Sequence, residues 1–367
     1  MSLQNDLEND DDLTICQQYL YACRSVFWNQ VSFDIEKNNK YPTLSGYTTV
    51  YNCISNEYGD WLTAIGCLLD VCDEVVVVDG GSTDGTWELL QDRAGAEPKL
   101  KIHQEKRDWK APGYSFFDGQ QKALARSFCT KEFCLQIDGD EFFVQSDYVK
   151  LKKMIQLFPA EVDLLALPLI EFWGSHNKLR VDINPWKSRL SRNKPEITHG
   201  VPEQLKQWTS DGRMYVPYGS CDGCEYINKD SGEMIKYAVF MQNEAEQARQ
   251  MTLRGDQNAL NAYTNWLKQV MIHLPTVRHT SWLNLESKIR KYMRYWNNHW
   301  HDMANVQNID IPENNMFFDK KCQDVSEAEI VELAKELGEK MGGWIFHRKL
   351  PLGWQNDPTV RTPWISL

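Results

Sequence analysis

The chain has 367 residues, of which 42% are hydrophobic and 25% are charged, an ordinary composition for a soluble globular protein. The length suits one large α/β domain with additions, or two domains. A formal net charge of −11 leaves no basic surplus to neutralise phosphates, which argues against a nucleic-acid binder, and no apolar run reaches the length of a bilayer span. The first dozen residues are acidic and do not resemble a targeting signal. The ten cysteines are therefore expected to be reduced thiols in the cytoplasm.

The first half of the chain alternates between strand and helix patterns. An amphipathic helix is predicted over residues 13–27, ahead of this alternation. The alternating elements are strands over 47–54, 74–78, 99–104, 132–137 and 163–170, and helices over 61–71, 86–93, 119–128 and 148–158. Such a rhythm predicts a doubly wound, mainly parallel sheet with right-handed crossovers.

The second half is less regular. Polar segments containing proline follow Trp173 as far as about residue 235. Helical composition then returns over 244–254 and 282–300, and a capping box formed by Ser326 and Glu329 opens a last helix, expected to end at Gly342 and Gly343.

Two predicted strands end in acidic residues. The valine run before Asp79 leads into a loop that contains Gly81, Ser82 and Asp84, and the strand over 132–137 leads into Asp138-Gly-Asp140-Glu141. Because parallel strands bring their carboxyl ends to one edge of a sheet, these carboxylates are expected to line one crevice. That arrangement suits a divalent cation and a phosphorylated ligand. For the Asp138 motif the alternative is a tight turn, and for Asp84 a helix cap is the favoured role.

With these motifs the chain resembles the inverting family 2 glycosyltransferases, which have the glycosyltransferase A-type nucleotide-diphospho-sugar transferase fold. The resemblance covers about residues 47–292. In chain order its motifs are Ser-Asn-Glu at 55–57, Val-Asp-Gly-Gly-Ser-Thr-Asp-Gly-Thr at 78–86, Gln-Ile-Asp-Gly-Asp-Glu at 136–141 (a DxD motif), Ser-Arg-Leu-Ser-Arg at 188–192, Gly-Val-Pro-Glu at 200–203, and His-Thr-Ser-Trp at 279–282 with the helix after it.

The resemblance implies transfer of a sugar from a nucleotide donor, most commonly a UDP-sugar, to an acceptor hydroxyl. It implies that Asp79 lies beside the nucleobase, that Asp138 lies near the ribose or the metal, and that Asp140 holds Mg²⁺ or Mn²⁺. His279 is expected close to the metal or the diphosphate. The remaining donor-binding candidates are Asn56, Glu57, Gly81 and Ser82, together with Arg189 and Arg192 as a clamp for the diphosphate.

An inverting transfer needs a base to deprotonate the acceptor hydroxyl. Glu203 is the first candidate because it matches the glutamate of a Gly-x-x-His-Glu-like family pattern, although Pro202 stands here in place of the histidine. His199 is close enough in sequence to supply an imidazole. Asp222 and Glu225 are rival bases or acceptor contacts.

The resemblance also implies a division into three regions: an acidic tail and helix at 1–46, a catalytic domain at 47–285 with a nucleotide-sugar half (47–145) and an acceptor half (146–285), and a helical extension at 286–367. The acceptor stays open between a saccharide, a lipid-linked molecule reached by peripheral membrane contact, and a protein. Flat aromatic rings that could stack on it are Trp173, Trp186 and Trp208.

Three other functions remain alternatives. A glycosyltransferase-like protein that binds nucleotide-sugar without turnover is favoured by Pro202. A phosphohydrolase would use Asp138 and Asp140 as nucleophile and acid, but the Glu-Phe-Phe after them does not fit that chemistry. A nucleotidyltransferase on the same fold would have a Gly-rich loop near the first strand, and this sequence shows none.

Cys221 and Cys224 have the spacing of half a zinc site. They are interpreted as a turn, since no second pair of zinc ligands accompanies them.

Overall fold

The protein is described from a computed structural model. The described residues are 42–55, 61–109, 115–156, 158, 163–176, 178–180, 186–195, 256–292, 325–336, 364–366, and six short strand segments between 197 and 239. The helices predicted over 13–27 and 244–254, and the predicted helix end at Gly342, lie outside these residues. Among the helices within them, none combines the length and the apolar character that a membrane span requires.

Sixteen strands are present in the described part of the chain. They are β1 (Leu44–Val50), β2 (Glu74–Asp79), β3 (Leu100–Gln104), β4 (Phe133–Gln136), β5 (Glu141–Phe142), β6 (Leu164–Glu171), β7 (Lys178–Arg180), β8 (Trp186–Arg192), β9 (Ile197–Thr198), β10 (Val201–Pro202), β11 (Gln207–Trp208), β12 (Met214–Tyr215), β13 (Glu225–Ile227), β14 (Met234–Val239), β15 (Val277–His279) and β16 (Trp364–Ser366).

Seven helices are present in the same residues. They are α1 (Trp61–Val71), α2 (Thr86–Ala96), α3 (Ser115–Ser127), α4 (Gln145–Gln156), α5 (Gln257–His273), α6 (Leu285–Tyr292) and α7 (Glu327–Glu336). The predicted bounds of α1 are confirmed without change. The predicted capping box of α7 is also confirmed, because Ser326 Oγ accepts the Glu329 amide at 3.3 Å while Glu329 Oε2 accepts the Ser326 amide at 2.8 Å.

The central sheet has the order β13-β14-β6-β8-β4-β1-β2-β3. Strands β4, β1, β2 and β3 are parallel, which confirms the α/β prediction for that half. The expected mainly parallel sheet is confirmed, since β14 and β15 are also parallel to β6. The sheet is mixed, because β8 is antiparallel to both β4 and β6. Strand β8 is not predicted from the sequence, because it carries charged residues (Lys187, Arg189 and Arg192) where a buried strand normally has an apolar run.

Both faces of the parallel half are buried. Val75 and Val77 belong to the larger core cluster, packed with residues of α1 and α4, while Val76 and Val78 pack with residues of α3. This alternation is the period-two pattern of a strand that is covered on both sides. Gly46 lets α1 approach β1, since a Cβ at this position would lie 2.9 Å from both Cys72 Sγ and Leu68 Cδ2.

The amino edge of the sheet is held by Glu74, the first residue of β2. Its carboxylate accepts hydrogen bonds from Ser45 Oγ (2.6 Å), Lys101 Nζ (2.5 Å) and both the amide and the hydroxyl of Thr130. Burial by itself raises the pKa of Glu74, but the hydrogen bonds from Lys101, Ser45 and Thr130 outweigh it and lower the pKa from 4.5 to about 2.

Glu74 is therefore predicted to make stability depend on pH. Because its pKa is lower in the folded state, its contribution is complete above pH 4.5 and is lost as the pH falls towards about 2. Glu74→Gln should lower the free energy of unfolding at neutral pH by about 1–3 kcal/mol and flatten the acid limb, which urea unfolding between pH 2.5 and 7 would measure. The exposed Glu332→Gln is the matched control, and equal acid sensitivity in the two variants would contradict the prediction.

Candidate functional site

The carboxyl ends of β1, β2, β4, β6 and β15 meet at one edge of the sheet, because β6 runs parallel to β4 on the far side of β8, and β15 runs parallel to β6. At this edge lie the side chains of Asp79, Asp138, Asp140, Glu171 and His279.

The loops after β1 and β2 are joined by hydrogen bonds. Asn52, whose φ is +46°, donates its amide to Ser82 Oγ (2.8 Å) and accepts the Thr83 amide on its side chain (2.8 Å). Asp84 accepts the Ser55 amide at 2.7 Å and the Thr86 amide at 3.1 Å. Asp84 therefore joins the first residue of α2 to the loop after β1, which is a structural role. The N-cap position itself is occupied by Gly85, so the predicted helix cap is not Asp84.

Asp79 is fully buried and organises its own loop. Its Oδ1 accepts the amides of Gly81 and Ser82, both at 2.9 Å, and Gln104 Nε2 at 3.0 Å, while the Ser82 hydroxyl donates to Oδ2. Gly81 has φ +90°, and a Cβ there would lie 3.1 Å from Lys106 Cα, so this turn requires glycine. The loop shape therefore depends on Asp79, and its contact with a nucleobase stays a prediction.

Asp138 is paired with two cations. Its Oδ1 lies 2.6 Å from Lys122 Nζ and its Oδ2 lies 3.0 Å from Arg189 Nη2, while Gln136 Nε2 donates to Oδ1 at 2.9 Å. Burial by itself raises the pKa of Asp138. The positive charges of Lys122 and Arg189 lower it by a larger amount, so the net pKa is well below its usual range. With both oxygens bound to cations, Asp138 is poorly suited to holding a metal in this conformation, contrary to one of the two roles expected for it.

The two predicted clamp arginines have different surroundings. Arg189 is buried and also binds Glu141 Oε1 at 2.5 Å, so its guanidinium neutralises carboxylates. Arg192 lies opposite Phe133 in the pairing of β8 with β4, at the amino end of β4. Its guanidinium lies 5.2 Å from the ring centres of Phe133 and Phe158. The structure does not bring Arg192 to the site, because a strand running antiparallel to β4 carries it away from the carboxyl edge.

Asp140 and His279 face each other. His279 Nε2 lies 3.4 Å from Asp140 Oδ1, and its Nδ1 lies 3.5 Å from Glu171 Oε1 on the neighbouring strand. Burial by itself lowers the pKa of His279. The negative charges of Asp140 and then Glu171 raise it by more, so the net pKa of His279 is above its ordinary value. The pKa of Asp140 is raised by burial and lowered more strongly by His279 and then Lys288. The two side chains form a partly buried acid–imidazole pair at this edge.

The segment after His279 is anchored to the DxD turn. Both the amide and the hydroxyl of Thr280 donate to the Asp140 carbonyl, at 2.8 and 2.9 Å. Trp282 stacks on Trp173 with 5.1 Å between ring centres, and Trp173 is completely buried. Trp173 is therefore a packing residue, and its predicted stacking on a sugar is wrong; the side chains of Trp186 and Trp208 lie outside the described residues.

Asp140 and His279 have the geometry of two ligands for one cation. Two ligands at about 2.1 Å from an octahedral cation are about 3 Å apart, close to the 3.4 Å between Asp140 Oδ1 and His279 Nε2. His279 Nδ1 is buried and makes no hydrogen bond within the described residues, although Glu171 is adjacent. The same residues contain no cluster of three or more metal-binding side chains, so a cation would take its other ligands from substrate oxygens and water.

Several predicted residues lie outside the described part of the chain. These are Asn56, Glu57, His199, Glu203 and Asp222. Glu225 begins β13 opposite Lys236, and its side chain is outside the described residues. Their roles remain predictions.

Three residues at the edge were missed from sequence: Lys122, Glu171 and Lys288. Glu171 had a usable signal, since it ends an apolar strand as Asp79 does. The two lysines lie on amphipathic helices, where a lysine more commonly marks a solvated face.

No family model matches the chain. A stretch of 73 residues is 38% identical to the lipopolysaccharide core biosynthesis glycosyltransferase LpsC of Rhizobium meliloti (strain 1021). That stretch is 20% of this chain and 24% of LpsC, so the chain matches about a quarter of this curated relative.

Solved glycosyltransferase structures superpose only loosely. S. aureus TarS 1–349 is 14% identical with a TM-score of 0.35, over 80% of this chain and 70% of that chain. The mannosyltransferase PcManGT from Pyrobaculum calidifontis, in complex with GDP-Man and Mn²⁺, is 13% identical with a TM-score of 0.32, over 91% of both chains. Scores of this size assign neither fold nor function, and the local similarity to LpsC is the sequence relationship that bears on this protein.

Proposed function

We propose that this protein is a metal-dependent, inverting glycosyltransferase of the family 2 type, which moves a sugar from a nucleotide-diphospho-sugar to an acceptor hydroxyl. The observation that carries the proposal is the pairing of Asp140 with His279 at the same sheet edge as the Asp79 loop. The similarity to LpsC supports the reaction class. A UDP-sugar is the proposed donor because uridine diphosphate is the commonest donor nucleotide of such enzymes.

Asp140 and His279 are the proposed ligands of Mg²⁺ or Mn²⁺, and Glu171 Oε1 lies 3.5 Å from the other ring nitrogen of His279. Such a cation acts as a Lewis acid that neutralises charge on a departing diphosphate. Asp138, neutralised by Lys122 and Arg189, is assigned to a ligand hydroxyl such as that of the ribose. Glu203 is the proposed base on the acceptor side, with Asp222 and Glu225 as rivals.

The proposed organisation keeps the catalytic domain at 47–285 between the tail (1–46) and the extension (286–367). Strand β1 begins at Leu44, so the first boundary belongs a few residues earlier than proposed from sequence.

A cytoplasmic location is supported by five buried, free thiols among the described cysteines, at positions 53, 67, 72, 129 and 134.

A second candidate is a protein that binds nucleotide-sugar without transferring it. Pro202, which stands in the position of the family histidine, favours this function. Retained metal-dependent nucleotide binding, with no transfer to a panel of saccharide, lipid-linked and protein acceptors, would select it.

The proposal is tested by thermal unfolding with a panel of nucleoside diphosphates and nucleotide-sugars, with and without Mn²⁺ or Mg²⁺. A ligand at a hundred times its Kd should add about 2.7 kcal/mol of stability, a shift of a few degrees. We expect one nucleotide to stabilise the protein only when the metal is present. No shift with any nucleotide would overturn the proposal.

A further inference from the structure

The two proposed metal ligands lie at one end of a very short antiparallel ribbon, formed by β5 and β15. In this ribbon Arg278 lies opposite Phe142 and His279 lies opposite Glu141. Strand β5 has two residues and β15 has three, and an isolated two-stranded ribbon is marginally stable at best in water. The distance between Asp140 and His279 therefore depends on the contacts that hold β15 in place.

A buried ion pair joins the two strands of the ribbon at their other side. Asp147, the third residue of α4, is completely buried, and its Oδ2 contacts Arg278 Nη1. The Asp147 amide donates to the Val144 carbonyl at 2.8 Å, which fixes this residue to the segment that follows β5. Arg278 also donates to the Thr276 carbonyl at 2.9 Å, just before β15. The ion pair thus connects the chain after the DxD motif with the strand that carries His279.

Arg278 does not face the proposed cation. Successive side chains of a strand point to opposite faces, so the Arg278 guanidinium and the His279 imidazole lie on opposite sides of β15. The contacts agree, since His279 lies beside Asp140 and Glu171 whereas Arg278 contacts Asp147. Arg278 can therefore act on the cation only through the backbone of β15, which makes it a positioning residue.

Lys150 holds the other oxygen of the same carboxylate. Its Nζ lies 2.9 Å from Asp147 Oδ1 and donates to the carbonyls of Met271 and Leu274, at 3.0 and 3.4 Å. When Arg278 is replaced by a neutral residue, Asp147 keeps this second cation, so no buried carboxylate is left without a partner. A variant of Arg278 is therefore expected to fold.

We propose that the Arg278–Asp147 ion pair is a positioning device for the metal site: it fixes β15 against the segment after the DxD motif and so holds His279 at a cation-binding distance from Asp140. The inference rests on the proposed function, since it concerns the two ligands assigned there. Metal affinity then depends on two residues that do not touch the metal.

The test is Mn²⁺ binding to the full-length chain with UDP or inorganic pyrophosphate, followed by electron paramagnetic resonance, with pulsed detection of the nitrogen coupling that an imidazole ligand produces. Arg278→Gln should weaken Mn²⁺ binding about ten- to a hundredfold and reduce the nitrogen coupling, because substitutions of residues that orient metal ligands have effects of this size. Arg278→Lys keeps a cation beside Asp147 and should retain most of the affinity.

The matched control is Glu74→Gln, which removes a buried carboxylate from its ion pair with Lys101 at the amino edge of the sheet. Its Mn²⁺ affinity and nitrogen coupling should equal those of the wild type, so that loss of stability by itself is separated from loss of position. An equal loss in Glu74→Gln and Arg278→Gln would overturn the inference.

Asp147→Glu is a second variant that keeps both charges. Its longer side chain displaces Arg278, and β15 with it, so it should also weaken Mn²⁺ binding; unchanged binding would show that the charge alone suffices and would overturn the inference.

Hydrogen exchange of the metal-free protein gives a further readout. The Thr280 amide donates to the Asp140 carbonyl at 2.8 Å, and this bond should open more often once β15 is less firmly held. In Arg278→Gln a peptide covering 277–282 should therefore exchange faster than in the wild type, and a peptide covering 74–79 should not. Wild-type Mn²⁺ affinity in Arg278→Gln overturns the inference, whatever the exchange rates, and leaves the proposed function standing. Failure of the wild-type protein to bind Mn²⁺ with either anion overturns both.

Discussion

Replacing Asp140 by asparagine is expected to abolish metal-dependent binding of the nucleotide ligand while the fold stays intact. The amide removes the charge that lies 3.4 Å from His279 Nε2, and hard cations bind a neutral amide oxygen far more weakly than a carboxylate. The backbone carbonyl of residue 140, which accepts both Thr280 hydrogen bonds, is unaffected. We expect a loss of at least about a hundredfold in affinity for Mn²⁺ in the presence of nucleotide, measured by electron paramagnetic resonance.

The control for this substitution is Asp92→Asn, on the exposed side of α2. It removes the same charge from the protein without touching the site, so its affinity for Mn²⁺ should equal that of the wild type. Unchanged Mn²⁺ affinity in Asp140→Asn would remove this residue from the metal site. Loss of the thermal transition in Asp140→Asn would instead show a structural role that the geometry does not predict.

Replacing Glu203 by glutamine should lower turnover at least about a hundredfold and leave donor affinity unchanged. A glutamine keeps the size of the side chain but cannot accept the proton of the acceptor hydroxyl. Because a base acts only in the chemical step, kcat should fall while the Kd of the nucleotide-sugar stays constant. Donor hydrolysis and transfer assays together with calorimetry would measure both.

Glu225→Gln and Asp222→Asn are the parallel variants for this experiment. A near-normal rate in Glu203→Gln, with a large loss in one of the other two, would move the base to that residue. Weaker donor binding in Glu203→Gln would contradict a role confined to the acceptor side.

The elements that the sequence predicts correctly are those whose local residue pattern matches their burial in the folded protein. Strand β2 was found because a strand buried on both faces needs apolar residues at every position, and α1 because its buried residues recur at helical spacing. Strand β8 is not predicted from the sequence because it carries Arg189, a buried cation whose carboxylate partners lie in the turn after β4 and at the start of β5. A local pattern cannot anticipate a charge that is neutralised by distant residues.

The sequence by itself determined that two strands end in carboxylates and that these ends share one edge, because apolar runs and their abrupt polar ends are local properties. Only the tertiary structure decided which partner each carboxylate has. Asp138 faces Lys122 of α3 and Arg189 of β8, whereas Asp140 faces His279 of β15. The two aspartates are separated by one glycine, yet their chemistry differs, because the charge next to a carboxylate is set by elements that folding brings from distant parts of the chain.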